Sequence, residues 1–157
     1  MALTVTTNKI YEAFYADFND KKAFVHSTTY SGNPMACAAA LEVLNILQQD
    51  QILLNTEQAY LNKSLRQALA DHKNVGEIRS IGLINAVELA EHREGKQGFA
   101  PEKRIGYQIY MQAMKRGLLL RPMGDVPYFN PPLNITREEI DQAVEICAQS
   151  IETVLGK

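Results

Sequence analysis

Val75-Gly-Glu-Ile-Arg-Ser-Ile-Gly-Leu-Ile-Asn-Ala-Val-Glu-Leu89 decides the fold class. Apolar residues recur there at Ile78, Ile81, Leu83, Ile84, Val87 and Leu89, and Gly76 and Gly82 interrupt them. β-Branched residues punctuated by glycine read as two short strands, or as one strand broken by a bulge at Gly82. Downstream, Glu91 to Gly98 is polar and reads as a loop. Pro101 opens a helix that ends at Lys115-Arg116-Gly117, where cations in the last turn precede a terminal glycine. Leu118 to Arg121 and Val126 to Phe129 read as an antiparallel pair around Met123-Gly124-Asp125, stopped by Asn130-Pro131-Pro132. Thr136 and Glu139 form a capping box, and Ile140, Val144, Cys147, Ile151 and Val154 follow at helical spacing. From residue 75 the order is β-β-α-β-β-α, an α+β class in which helices cover a small antiparallel sheet.

Upstream the pattern is helical. Asn33-Pro34 combines a favoured N-cap with a favoured first helical residue. The run from Met35 to Leu47 is apolar nearly all round, which predicts a helix buried on most sides. Its alanines Ala36, Ala39 and Ala40 would admit a close neighbour. A second helix is expected over Gln51 to His72, with Leu54, Leu61, Leu65, Ala68 and Leu69 inward. Residues 2–6 read as a strand, and Thr7 as the cap of a helix from Asn8 to about Asp17 with Ile10, Tyr11 and Phe14 inside. Asn19 to Gly32 has no apolar period and reads as a loop. An opening strand with no partner before it favours a chain cut from a longer one over pairing with a later strand.

The chain has 157 residues, 46% hydrophobic and 22% charged, the mix of a soluble globular protein. Sixteen basic residues against eighteen acidic ones leave a net charge of −2. With no cationic surplus, nucleic-acid binding by phosphate neutralisation is disfavoured. No apolar run approaches the roughly 20 residues that span a bilayer, and no signal-peptide pattern opens the chain, so a cytoplasmic protein is expected. Cys37 and Cys147 both fall in apolar helical patterns and read as small buried hydrophobes rather than a disulfide.

A self-contained catalytic set is not legible. There is no Gly-x-Gly-x-x-Gly, P-loop or Gly-x-Ser-x-Gly, and His26, His72 and His92 show no ligand spacing, so no metal site is expected. Two segments remain. His26-Ser-Thr-Thr-Tyr-Ser-Gly-Asn-Pro34 sets five consecutive hydroxyl side chains before a helix N-terminus. That suits a phosphate or carboxylate, although Pro34 removes one donor and the loop has no cation of its own. The alternative is a connector whose hydroxyls satisfy their own backbone. In Leu118-Leu-Leu-Arg-Pro-Met-Gly-Asp-Val-Pro-Tyr-Phe-Asn-Pro-Pro132, Arg121 emerges at the margin of an apolar strand. It could hold a carboxylate in a bidentate fork, with Tyr128 lining the same pocket, or close the hairpin by pairing with Asp125 or Glu88.

At these segments the chain resembles class III pyridoxal-phosphate aminotransferases. The loop His26 to Pro34 with its Ala-rich helix resembles one late in that family, and Val75 to Leu83 resembles the first strand of its C-terminal domain. Gly117 to Asp125 with Tyr128-Phe-Asn-Pro-Pro132, and Arg104-Ile-Gly-Tyr107, are similar to the branch that aminates 8-amino-7-oxononanoate in biotin synthesis. The resemblance implies that Thr29, with Thr28 beside it, contacts the phosphate of pyridoxal 5'-phosphate in the neighbouring subunit's site. It implies that Ser27, at a position usually Gly, lies against the substrate, that Arg121 binds the acceptor's carboxylate, and that Tyr128 is an aromatic near it. The Schiff-base lysine, the aspartate on the pyridinium nitrogen and the aromatic on the ring have no counterpart, and none of Lys9, Lys21 and Lys22 fits the lysine's context. No catalytic residue is therefore assigned, and the chain alone is expected to be inactive.

On that resemblance, residues 1–32 end the large cofactor-binding domain, 33–74 are interdomain helices and 75–157 form the small α+β domain of a homodimeric enzyme. The substrates implied are 8-amino-7-oxononanoate and a donor, S-adenosylmethionine or lysine. The alternatives are a portion of an ornithine- or 4-aminobutyrate-type ω-aminotransferase, or a non-catalytic binding or assembly module. An isolated Asn33–Leu47 helix is expected to expose apolar surface and drive self-association.

Overall fold

The computed structural model describes residues 2–54 and 56–156, and its contacts divide the chain into two units, one up to Gln51 and one from Ile52. Residue 55, inside the helix expected over Gln51 to His72, and the two terminal residues lie outside the described residues.

The first unit holds α1 (Asn8–Phe14) and α2 (Pro34–Gln49). The expected opening strand is not formed: residues 2–7 carry no regular structure, because β-branched residues without a ladder partner leave their backbone groups to water. α1 stops at Phe14, and Thr7 precedes it without a side-chain cap bond. α2 starts as expected, with Asn33 Oδ1 accepting from the Ala36 N–H at 3.0 Å and Pro34 in the first turn. Its burial does not follow expectation. No residue of α2 is buried, and Leu41, Val43 and Leu44 are each more than half exposed. Among the described residues of its unit, a seven-residue helix and a short 3₁₀ turn at Phe18–Asp20 are the regular elements that accompany it, too little surface to cover a sixteen-residue helix whose Met35–Leu47 run is apolar nearly all round.

The second unit begins with α3 (Gln58–Leu69), shorter than the helix expected over Gln51 to His72. Gln51 takes a left-handed backbone at φ 49 and residues 51–54 form turns, so Leu54 is exposed. The buried stripe is Leu61, Leu65 and Leu69, one residue per turn, while Ala68 stays exposed. β1 (Val75–Ile81) and β2 (Ile84–Leu89) then form a hairpin turning at Gly82, so the two-strand reading holds. α4 (Ile105–Lys115) follows a 3₁₀ turn at Pro101–Lys103, from which left-handed Arg104 separates it. β3 (Arg121–Met123), β4 (Val126–Phe129) and α5 (Arg137–Leu155) complete the unit.

The antiparallel sheet has the order β1-β2-β4-β3. Ile78, Val87, Leu89 and Phe129 join Leu61, Leu65, Leu69, Ile109, Ile140, Val144, Cys147 and Ile151 in one core. Asn85 is wholly buried and satisfied: its amide donates to Leu83 O at 3.2 Å and accepts from Asn62 Nδ2 at 3.1 Å. Arg66 donates to Ile78 O at 2.7 Å, tying α3 to the hairpin.

β3 begins at Arg121 rather than ending there. The Leu118 N–H is bonded to Ala113 O and Gly117 sits at φ 90, so the first residues after α4 serve its C-terminus and cannot join a ladder. β3 is an edge strand centred on Pro122, which faces Pro127 of β4. α5 carries the full capping box, with Thr136 Oγ1 accepting from the Glu139 N–H and Glu139 Oε2 from the Thr136 N–H.

Candidate functional site

Ser27, Thr28 and Thr29 belong to the first unit, Arg121 and Tyr128 to the second, and the geometry of each group is set within its own unit.

On the sheet, residues opposite one another on adjacent strands share a face. Arg121 pairs with Tyr128, Tyr128 with Ala86, and Ala86 with Arg79, so these four make one row across all four strands. The next residues along, Ile78, Val87 and Phe129, are buried in the core, which puts the row on the open face. Arg121 is exposed and Tyr128 half-buried. The two residues singled out in this segment are thus brought together, as side-by-side neighbours.

Neither hairpin-closing partner offered by the sequence is used. Glu88 accepts from Arg79 Nη1 at 2.6 Å. Asp125 Oδ1 accepts from the Gly106 N–H at 2.9 Å, at the first turn of α4. With both carboxylates committed elsewhere, the Arg121 guanidinium makes no hydrogen bond or ion pair with any described residue. Its open partner sites are suited to a planar carboxylate.

In the hydroxyl-rich loop, Ser27, Thr28 and Thr29 are all exposed. Thr28 is turned inward on its own segment: its N–H donates to Ser31 Oγ at 3.2 Å, and the two hydroxyls lie 3.0 Å apart. The Ser31 N–H closes the turn on Thr28 O. This is the self-satisfying behaviour of a Ser/Thr turn. Thr29 differs, since its hydroxyl has no partner among the described residues. A phosphate would find its hydroxyl donor first at Thr29, with Thr28 reached only by giving up Ser31.

What reading the sequence missed is the role of Asp125, one of two carboxylates offered as alternative partners for Arg121 and found capping α4. One signal was available. Gly106 stands inside a helical pattern, where glycine costs roughly 1 kcal/mol against alanine, so its presence marked a close approach by another backbone. Among the described residues no helix is long and apolar enough to cross a membrane.

Comparison with known proteins places the fold in a family. The family model described as aminotransferase class III matches residues 1–151. The adenosylmethionine-8-amino-7-oxononanoate aminotransferase of Geobacter sulfurreducens is 39% identical over 158 residues, covering 99% of this chain and 35% of its own. The crystal structure of the enzyme of that name from Methanocaldococcus jannaschii superposes with a TM-score of 0.85 at 30% identity, over 96% of this chain and 34% of that one. An (S)-enantioselective ω-transaminase from Thermomicrobium roseum superposes at 0.79 with 36% identity, over 85% of this chain and 30% of that one. The chain spans about a third of the length of the curated relatives it matches. A match along nearly the whole chain, with the same small antiparallel sheet and its covering helices, identifies it as a member of the class III aminotransferase family.

Proposed function

We propose that this chain is the acceptor-binding portion of a pyridoxal-phosphate-dependent aminotransferase that converts 8-amino-7-oxononanoate to 7,8-diaminononanoate. The observation that carries the reading is Arg121, a guanidinium on the open face of a paired hairpin with no partner among the described residues, beside Tyr128. Such a fork binds a carboxylate bidentately and fixes the direction of the alkyl chain behind it. Tyr128 adds an aromatic flank and a hydroxyl on the same side. The relatives named for 8-amino-7-oxononanoate bring in that acceptor, whose far end is a carboxylate.

The loop residues fit the phosphate end of the cofactor, with Thr29 as the free hydroxyl donor and Thr28 beside it. Ser27 would stand against the substrate. When bound, pyridoxal phosphate supplies the carbonyl that takes up the amino group and the ring that draws electrons from the reacting carbon. The chain's own residues orient the acceptor and hold phosphate; none of Ser27, Thr28, Thr29, Arg121 and Tyr128 moves a proton, so the chain alone is inactive. In this reading residues 1–32 belong to a large cofactor-binding domain, 33–74 to interdomain helices and 75–157 to the small domain. The enzyme is a cytoplasmic homodimer in which Thr29 serves the other subunit's phosphate, and its donor is S-adenosylmethionine or lysine.

A second reading, another ω-aminotransferase, is favoured by the likeness to the T. roseum ω-transaminase. One experiment tests both. In the full-length enzyme, Arg121→Ala is expected to raise KM for 8-amino-7-oxononanoate about 10- to 100-fold with kcat little changed, the loss of a charged hydrogen-bonded pair worth roughly 1.5–3 kcal/mol. Arg121→Lys is expected to recover only part, since an ammonium lacks the fork. An unchanged KM removes the assignment. Faster turnover with simple ketones than with 8-amino-7-oxononanoate selects the second reading.

A further inference from the structure

We infer that Asp125 is a positioning residue for Arg121: its carboxylate locks the β3–β4 turn onto α4, and the locked turn holds the register that presents Arg121 on the open face. The inference rests on the reading of Arg121 as the carboxylate anchor.

The β3–β4 connection is two residues, Gly124-Asp125. Gly124 lies at φ +59, while Asp125 is not among the left-handed residues; this is the pattern of a type II′ hairpin turn. The turn is held from two sides. Asp125 O accepts from the Leu89 N–H at 3.1 Å, joining it to the end of β2. Asp125 Oδ1 accepts from the Gly106 N–H at 2.9 Å, joining it to α4. That N–H is one of the first-turn donors with no partner inside the helix. The residue preceding α4, Arg104, is left-handed and offers no side-chain cap, so the carboxylate arriving from the hairpin takes the capping role.

Contact between turn and helix is close enough to exclude any side chain. A Cβ on Gly106 would lie 2.0 Å from Gly124 O and 3.1 Å from Gly124 C, both backbone atoms that cannot swing aside. The hairpin needs this external hold. β3 is three residues long and lies at the end of the sheet with β4 as its neighbour, and its ladder bonds to β4 fall only at the pairs Met123–Val126 and Arg121–Tyr128, on either side of Pro122 and Pro127. A slip of one residue would carry Arg121 from the open face to the core side. No hydrogen bond or ion pair joins Asp125 to Arg121, so it acts through the turn.

The test uses Asp125→Ala, Asp125→Asn and Gly106→Ala with two readouts. Amide exchange is followed on this chain at Gly106 and Val126. KM and kcat are measured in the full-length enzyme with 8-amino-7-oxononanoate and with a ketone acceptor that lacks the carboxylate. Asp125→Ala is expected to speed both amides about tenfold and to raise KM for the carboxylate acceptor by a similar factor, the effect of one lost hydrogen bond. Turnover of the carboxylate-free acceptor should stay within about twofold, since binding that does not use Arg121 is untouched. Asp125→Asn, which keeps an Oδ1 acceptor, should restore both readouts, and Gly106→Ala should reproduce the alanine variant by pushing the turn away. Equal losses with both acceptors, unchanged exchange in Asp125→Ala, or failure of Asp125→Asn to rescue would each overturn the positioning role. Arg121→Ala separates the two possible failures. An unchanged KM there removes the anchor reading itself; a raised KM there, with Asp125→Ala unaffected, removes only the role of Asp125.

Discussion

Cys147 lies on the inner face of α5 with no exposed surface, and burial pushes its thiol up to about 12. A buried thiol is a poor nucleophile because only the thiolate reacts. Ellman's reagent at pH 8 is therefore expected to modify half-buried Cys37 and to reach Cys147 only when urea unfolds the chain. Equal labelling rates in the folded protein would contradict the burial. The pH dependence has a definite sign. Above about 9 the unfolded chain releases this proton while the folded chain keeps it, so stability falls as pH rises toward about 12. Arg121 was readable at this scale because an arginine after an apolar run, before a Gly-Asp turn, has few places to go. That no described residue bonds its guanidinium was not readable. Asp125 and Glu88 were both near enough in sequence, and only the pairing register and the α4 contact commit them elsewhere.

At the scale of single elements, two of the three N-cap signals translated, while Thr7 makes no cap bond. Thr136 and Glu139 form the box their spacing implies, and Asn33 caps α2, because such bonds close within four residues and need no tertiary knowledge. Thr136→Ala is expected to cost about 1 kcal/mol, read as a lower urea midpoint with unchanged m-value. A shift of less than about 0.3 kcal/mol would mean that packing of Ile140, Val144 and Ile151 holds the first turn unaided. Elements whose limits depend on neighbours were less legible. The apolar period of α3 continues back to Leu54, yet the left-handed backbone at Gln51 and the turns after it delay the helix to Gln58. The apolar run of Met35 to Leu47 foretold burial that α2 does not have, since composition records what a helix could bury and not what lies against it.

At the scale of the whole molecule, the two units differ in kind. The second has a continuous core, whereas the first buries none of its described residues completely. Limited thermolysin digestion is expected to leave a resistant product beginning between residues 52 and 57, where Leu53 and Leu54 are exposed. A product beginning well inside the first unit would show order there beyond its contacts. The open face of α2 is also expected to drive concentration-dependent association in sedimentation velocity, weakened by Leu44→Glu. The fold class was recoverable from residues 75–157 because a hairpin, a capped helix, a second hairpin and a second capped helix admit few arrangements. The packing of the first unit was not, because its apolar residues announce a surface without naming its cover.

The proline at the centre of β3 bears on how such association would proceed. An edge strand normally offers alternate N–H and C=O groups to any passing chain, the first step toward amyloid. Here that edge is three residues long, its middle residue has no N–H to give, and Arg121 places a positive charge beside it. Growth by strand addition is blunted on this side of the sheet. Oligomers built through α2 should therefore keep a helical circular dichroism spectrum and fail to bind thioflavin T. Pro122→Val would be the change that gives the sheet a template, and fibrils that appear with that variant alone would identify this proline as the guard on that edge.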